Sequence, residues 1–381
     1  YIDDHALPDS ALHVAFGVSN EACGTLQTLD LTAVRAAKGV RCVIVAADIP
    51  GENEIGAVFK GDPLLAAKHI EYVGQPVFAV AADSLREALQ AVQLAKMNIK
   101  ATTPILDVED ALEQKQFVLP SKTWDYHFSD APDAPHAQRF TQYIRGQEHF
   151  YLEGQVATAT PDDRGGMIVM SSTQHPDEIQ HHVASVLGLS MHQVRVTSPR
   201  MGGAFGGKES QAAGPACIAA VVAQQLKRPV KVRLPRADDM RSTGKRHDFA
   251  TRYDLSYNND GSLVSADIRL SAMCGFSPDL SDGITERAMF HATNAYFVPH
   301  ARITGHRCKT NTVSNTAFRG FGGPQGLLGM EAAMDSIAAN LNIDPLDLRL
   351  IHRLGQRDTA FQGRQQREIK RLPRRRARRP R

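Results

Sequence analysis

Arg200-Met-Gly-Gly-Ala-Phe-Gly-Gly-Lys-Glu-Ser210 sets four glycines around a single phenylalanine and then adds a Lys-Glu pair. Glycines accept positive φ and let a backbone approach a ligand closely. Successive free N–H groups form a concave anion-binding surface. A second loop has the same build, Ala317-Phe-Arg-Gly-Phe-Gly-Gly-Pro324. Two Phe-Gly-Gly loops, each beside a charged residue, point to one site that grips an anionic cofactor and stacks a flat ligand. The competing reading of either loop by itself is a tight turn in a β-rich domain, because glycine runs are weak signals. Gly202 to Lys208 also fits G-x-x-x-x-G-K, but Glu209 stands where a phosphate-binding loop needs a Ser or Thr hydroxyl for Mg²⁺. A carboxylate there would repel a triphosphate, which argues against a nucleotide triphosphatase.

Outward from these loops, 381 residues with 42% hydrophobic and 22% charged side chains describe a globular protein of two or three domains. No apolar run approaches the ~18–20 residues of a membrane span, and no basic-then-apolar leader opens the chain. The sequence begins at Tyr1 rather than Met, so a preceding piece is expected. The five cysteines (Cys23, Cys42, Cys217, Cys274 and Cys308) are scattered and form no C-x-x-C pair. Their spacing encodes neither a zinc site nor an iron–sulfur cluster, and a reduced cytoplasmic compartment fits them. The net charge is +3, yet from Asp358 onward there are ten Lys/Arg and two Asp/Glu. The rest of the chain is therefore mildly acidic. The tail, residues 358–381, is read as non-native or disordered, as a frameshift product would be. The other reading is a nucleic-acid arm, the less favoured one.

Along the chain, strands are expected at Leu12–Val18, Val40–Ala47 and Val77–Val80, with a helix from Leu85 capped by Asp83 or Ser84. Residues 108–147 are polar and irregular, with Pro120, Pro132 and Pro135, and read as a linker. Beyond it come a strand at Met167–Ser171, a helix from Asp177 to Leu187 closed by Gly188, and a strand at Val194–Ser198 leading into the first glycine loop. A strong helix follows at Gln211–Lys227, then a strand at Val230–Leu234. A hairpin turning at Asn258-Asn-Asp-Gly261 comes next, then a strand at Ile303–Thr310 before the second loop. Helices at Gln325–Leu341 and Asp344–Leu354 close the pattern.

Four polar residues beside the loops or at strand ends are candidates for chemistry: Gln174, Glu209, Arg287 and Arg319. Gln174 ends a strand, where its amide enters a cleft or is merely solvated. Glu209 can hydrogen-bond a heterocycle, or else pairs near Lys208 on the surface. Arg287 suits a polar group of a planar ligand, against pairing with Glu286 on a helix surface. Arg319 lies between Phe318 and Phe321. Phe205 and Phe321 are core plugs in the ordinary case, but their glycine flanks suggest rings exposed for stacking.

Taken together, Arg200–Glu209, Phe318-Arg-Gly-Phe-Gly-Gly-Pro-Gln325 and Glu286-Arg-Ala-Met-Phe-His291 resemble the molybdenum-binding part of the xanthine dehydrogenase/aldehyde oxidase family. Tyr72-Val-Gly-Gln-Pro76 resembles a marker of that family's α/β hammerhead domain, and Phe150-Tyr-Leu-Glu-Gly-Gln155 the start of its molybdopterin-binding region. The resemblance implies a mixed α/β and α+β fold: a hammerhead domain over 1–107, the linker, and a first, partial molybdopterin-binding domain over 148–357, incomplete at its C-terminus. It also implies a molybdenum–pyranopterin cofactor that hydroxylates a purine with oxygen from water. Iron–sulfur clusters and FAD are expected on a partner chain of a hetero-oligomer, with neither membrane nor nucleic acid involved.

By the same resemblance Gln174, Phe205, Gly206 and Arg319 surround the molybdenum cofactor. Glu209 and Arg287 hydrogen-bond the purine and stabilise developing charge, help worth on the order of 10²–10³ in rate per group. Phe321 is one of the rings that sandwich the purine. The Glu209/Arg287 pair points to xanthine or hypoxanthine, since aldehyde oxidases differ there; an aldehyde-oxidising relative is the alternative. Ala204 stands where many relatives have Gly. The family's catalytic glutamate base matches nothing in these residues, so the chain alone is expected to be inactive.

Overall fold

The computed structural model describes residues 1–352. The N-terminal region contains β1 (Leu12–Val18), β2 (Gly24–Asp30), α1 (Thr32–Arg35), β3 (Val40–Val45), β4 (His69–Ile70), β5 (Pro76–Ala82), α2 (Leu85–Val92) and β6 (Lys96–Ala101). Then come α3 (Val108–Glu113), β7 (Phe117–Tyr126) and β8 (His136–Ile144). The first glycine loop lies within the next group, β9 (Val156–Pro161), β10 (Met167–Ser171), α4 (Pro176–Leu187), β11 (Val194–Thr197), α5 (Ala213–Leu226), β12 (Val230–Arg233) and α6 (Arg236–Ser242). The last group is β13 (Phe249–Tyr257), β14 (Leu263–Gly275), α7 (Ser281–Phe290), β15 (His300–Lys309), α8 (Gly323–Leu341) and α9 (Pro345–Ile351).

Three sheets organise these elements: a seven-stranded one in the order β11-β10-β9-β12-β1-β5-β3, a five-stranded one in the order β7-β15-β14-β13-β8, and a small β4-β2-β6 sheet. The large sheet crosses from the N-terminal region to the middle of the chain through the parallel pair β1–β12, with Leu12 opposite Val230. Its core gathers around α5, whose Cys217, Ile218, Val221 and Val222 are all buried. A helix that is apolar on every side is one enclosed on every side. The second core lies between the five-stranded sheet and α7, α8 and α9, and contains Tyr253, Ile268, Met289, Met334 and Leu348.

Two parallel strand pairs position the glycine loops. β10 runs parallel to β11, so the turn after β10, which carries Gln174, opens beside the first loop after β11. β14 runs parallel to β15, with α7 as the crossover between them. Arg287 on α7 and the second loop beyond β15 are thereby brought to one end of that sheet. Ligand sites of open parallel sheets lie at the carboxyl ends of their strands.

Local signals held where they were strongest. Ser84 caps α2 by accepting the Glu87 N–H, Gly188 closes α4 at φ 65, and Asp344 caps α9. The 108–147 reading requires correction. That stretch contains α3, β7 and β8, and its two strands are the two edges of the five-stranded sheet. Over 121–126 and 136–142 these edge strands alternate exposed and half-buried residues, so neither needs the apolar content of a central strand. Pro120 falls at a register irregularity of β7, between Lys122 and Leu119, where a missing N–H breaks no ladder bond. Among the described residues no helix is long and apolar enough to cross a membrane. The basic tail lies outside the described residues.

Candidate cofactor and ligand site

The first glycine loop is shaped from below by three side chains. Gln174 Oε1 accepts the Gly206 N–H at 2.9 Å and the Lys208 N–H at 3.4 Å, while its own backbone N–H donates to Lys208 O at 2.8 Å. Its amide is therefore not merely solvated. The Gln174 Nε2 donor has no acceptor among the described residues. Glu153 Oε2 accepts from Gly202 N–H and from Ser172 Oγ, and its Oε1 accepts from Asp3 N–H. Burial opposes ionisation of Glu153, but these hydrogen bonds and Lys208 hold its carboxyl below the ordinary range.

Lys208 is fully buried and turns away from any phosphate-binding role. Its Nζ donates to Glu153 O and Ser172 Oγ, both at 2.8 Å, and lies 3.6 Å from Glu153 Oε2. The ammonium also sits 4.5 Å from the Tyr151 ring centre. Burial pulls its pKa down to about 8, against the attraction of Glu153.

Glu209, next in the chain, is free of Lys208. Its carboxylate makes no hydrogen bond or ion pair within the described residues, and burial pushes its pKa up, with His175 opposing and Glu178 adding to the shift. Phe205 is 51% exposed at φ 56, and Phe321 occupies the equivalent strained region at φ 47. Side chains other than glycine rarely adopt such backbone, and where they do the strain marks functional sites.

The two loops touch. The Arg319 N–H donates to Phe205 O at 3.0 Å, and a Cβ on Gly206 would lie 2.7 Å from Ala317 O. Arg319 O in turn accepts from Arg246 Nη2 at 2.9 Å, while the Arg319 guanidinium is exposed and unpaired among the described residues. Phe321 departs from the expected exposed ring: it is half-buried, packed against the second core, its ring 3.2 Å from where a Cβ on Gly283 would be. Gly322 approaches α7 so closely that a Cβ would stand 2.0 Å from Ile284 O.

Arg287 is exposed on α7, and its Nε would be 3.9 Å from a Cβ on Gly323. Pairing with Glu286 does not occur, because Glu286 binds Lys122 Nζ at 2.5 Å. Adjacent helical residues point to different faces. Arg287 therefore presents an unpaired guanidinium beside the second loop. No hydrogen bond or ion pair joins it to Glu209.

The surface fits an anionic cofactor. The backbone N–H groups of Gly203, Ala204 and Phe205, and that of Gly320, find no acceptor among the described residues, although Ala204 is buried. Buried donors left open cost free energy unless something accepts from them. Among the described residues no cluster of three or more His, Cys, Asp or Glu could hold a metal. Residues that sequence reasoning passed over include His149, Glu153 and Arg246, which support the loops from within. Their only signal was position: His149 and Glu153 lie in or next to the Phe150–Gln155 motif.

Comparison with known proteins agrees with this geometry. A family profile described as the molybdopterin cofactor-binding domain matches residues 125–352. A second, described as the aldehyde oxidase and xanthine dehydrogenase a/b hammerhead domain, matches residues 1–102. The xanthine dehydrogenase of Drosophila subobscura is 37% identical over 370 residues, 96% of this chain and 28% of that protein. Xanthine dehydrogenase 1 of Arabidopsis thaliana is 38% identical over 356 residues, 92% of this chain and 26% of that protein. The chain thus spans little more than a quarter of the curated relatives it matches. Among solved structures, the aldehyde oxidoreductase of Desulfovibrio gigas superposes with a TM-score of 0.83 at 25% identity, over 93% of this chain and 41% of that one. The quinoline 2-oxidoreductase of Pseudomonas putida shares the fold, with a TM-score of 0.82 at 22% identity over 93% of this chain and 48% of its own. With the glycine loops, the hammerhead region and the cofactor-binding region each matched in order, the chain belongs to the xanthine dehydrogenase and aldehyde oxidase family, as a part carrying its a/b hammerhead domain and a molybdopterin cofactor-binding domain.

Proposed function

We propose that this chain is the cofactor- and purine-binding part of a molybdenum hydroxylase that oxidises hypoxanthine and xanthine to urate. The observation that carries the reading is the junction of the two glycine loops, with open N–H groups of Gly203, Ala204 and Phe205 on the first and the unpaired Arg287 beside the second. Gln174, Phe205, Gly206 and Arg319 would hold the molybdenum–pyranopterin. When bound, that group supplies the two-electron oxidation and delivers oxygen drawn from water. Open backbone donors in a preorganised loop stabilise negative charge without reorganising.

Glu209 and Arg287 would orient the purine. The Glu209 carboxyl, raised by burial, is poised to share or hold a proton with a ring nitrogen or exocyclic oxygen. The Arg287 guanidinium, unpaired, accepts the opposite duty: it donates to an oxygen on which negative charge grows. Phe321, with one side on the core, offers its remaining face for stacking. Electrons would leave through iron–sulfur and FAD groups outside this chain, in a soluble cytoplasmic assembly.

The test is steady-state turnover and molybdenum content of the full protein that contains this chain. Xanthine turnover with urate as product is expected. Arg287→Met should lower kcat/KM for xanthine by about 10²–10³ while leaving aldehyde turnover intact. Aldehyde oxidation with no urate from the unaltered protein would replace this reading with the aldehyde oxidase one.

A further inference from the structure

His149 is an almost fully buried histidine, 6% exposed, that lies between the two glycine loops. Its Nε2 is 2.7 Å from Ala317 O in the second loop. A carbonyl only accepts, so Nε2 carries the proton. The same ring meets the first loop so closely that a Cβ on Gly207 would lie 2.7 Å from His149 Cγ. It also lies against Phe318, with ring centres 4.7 Å apart. Arg246 completes the arrangement. Its guanidinium covers Phe318 at 4.0 Å, donates to Arg319 O at 2.9 Å, and is steadied by Gln147 Oε1 at 2.8 Å. The Arg319 N–H to Phe205 O bond also joins the loops, and Ser210 meets the hydroxyl of Thr316, just before the second loop, at 3.1 Å.

We infer that His149, with its proton on Nε2, is the positioning residue that holds the two glycine loops against each other, and that Arg246 fixes the second loop beside it. The functional consequence rests on the reading that these loops hold the cofactor; the clamp itself does not. Burial holds His149 below the ordinary histidine range, and Lys245 and Arg246 press the same way, against the Ala317 hydrogen bond and Glu148. Lys245 and Glu148 are themselves paired at 2.8 Å, and Tyr151, stacked 6.0 Å from His149, keeps its hydroxyl on Asp239. A second proton on the imidazole would therefore add charge where Arg246 and Lys245 already repel it.

The experiment is amide hydrogen exchange, peptide by peptide, on the full protein with His149→Leu and His149→Gln, alongside molybdenum content. His149→Leu should raise exchange roughly tenfold to a hundredfold in the peptides spanning 200–210 and 317–323, with α5 unchanged. His149→Gln, which keeps a neutral N–H donor, should restore most of the protection. In the unaltered protein, protection of both loops should fall as pH drops well below the ordinary histidine value, and His149→Gln should lack that dependence. Molybdenum retention should follow loop protection. Unchanged loops in His149→Leu, equal loosening of α5, or a glutamine variant no better than leucine would each overturn the inference. An unaltered protein without molybdenum would sink the cofactor reading, while the exchange data would still decide the clamp.

Discussion

At the residue scale, two neighbours in one loop behave oppositely because their surroundings differ. Glu209 is partly buried with no hydrogen-bond donor of its own among the described residues, so its carboxylate is destabilised in the fold. Its folded pKa is raised, so the folded state gains stability below the ordinary carboxylate range and loses it as pH climbs through the raised value. Glu209→Gln should therefore raise the unfolding midpoint at pH 7, leave it unchanged near pH 4, and still depress purine turnover. Equal midpoints at both pH values would contradict the raised carboxyl. Lys208, one residue earlier, is fully enclosed. Its pKa falls to about 8 through burial, so between pH 8 and its unfolded value the unfolded chain binds more protons and stability rises with pH. Lys208→Met leaves Glu153 without the cation paired to it and should cost about 3 kcal/mol at pH 7 in urea unfolding. The gap to the unaltered protein should widen at higher pH, because the variant lacks that titration.

At the scale of elements, the close approach of α7 and α8 is what brings Arg287 to the second loop. A Cβ on Gly326 would lie 2.2 Å from Ala288 O, next in sequence to Arg287. Gly326→Ala must push the two helices apart. A cost of about 1–3 kcal/mol in the unfolding midpoint is expected, with a raised KM for purine. A variant with unchanged KM would place Arg287 outside the substrate's reach. The glycine loops were legible in the sequence because glycine, phenylalanine and charge alternate there in a way few turns need. Gln174 was legible as an amide at a strand end and Arg287 as a motif residue. Their meeting with the loops depends on β10 lying parallel to β11 and β14 to β15, and no local pattern encodes which strands pair. The edge strands β7 and β8 were illegible for a related reason: each has a solvated face, so their polarity matched that of a linker. Arg246 gave no sign and His149 only its place next to the Phe150–Gln155 motif, since a buried histidine and a buried arginine announce themselves through partners distant in sequence.

At the scale of the whole molecule, the hammerhead region and the cofactor-binding region meet along a narrow cleft of ≈ 90 Å³ lined by Tyr72, Phe276, Asp62 and Asp279. Tyr72 of the hammerhead marker stacks on Phe276 at 4.9 Å, and Ser277 Oγ donates to Asp62 Oδ2 at 3.2 Å. Asp62 is pushed up to about 7, first by burial and then by the charges of Asp279 and Glu54. Asp279 is pushed up to about 6, chiefly by burial, against hydrogen bonds from Thr316 and Ser210. Both folded pKa values exceed the unfolded one, so these carboxyls contribute stability that is complete below about pH 4 and is lost as pH rises through 6 and 7. The junction should accordingly loosen toward alkaline pH, with the two regions held best when both carboxyls keep their protons. Asp62→Asn supplies a permanently neutral group of the same shape. It should stabilise the protein at pH 8, make no difference at pH 4, and flatten the decline between them in urea unfolding. A variant whose stability tracks the unaltered protein at every pH would mean that Asp62 is ionised throughout and reaches water through the cleft. The hammerhead region would then be held to its neighbour by the β1–β12 pairing, the Tyr72–Phe276 stack and bonds such as Gly51 N–H to Val186 O and the Asp3–Lys231 ion pair.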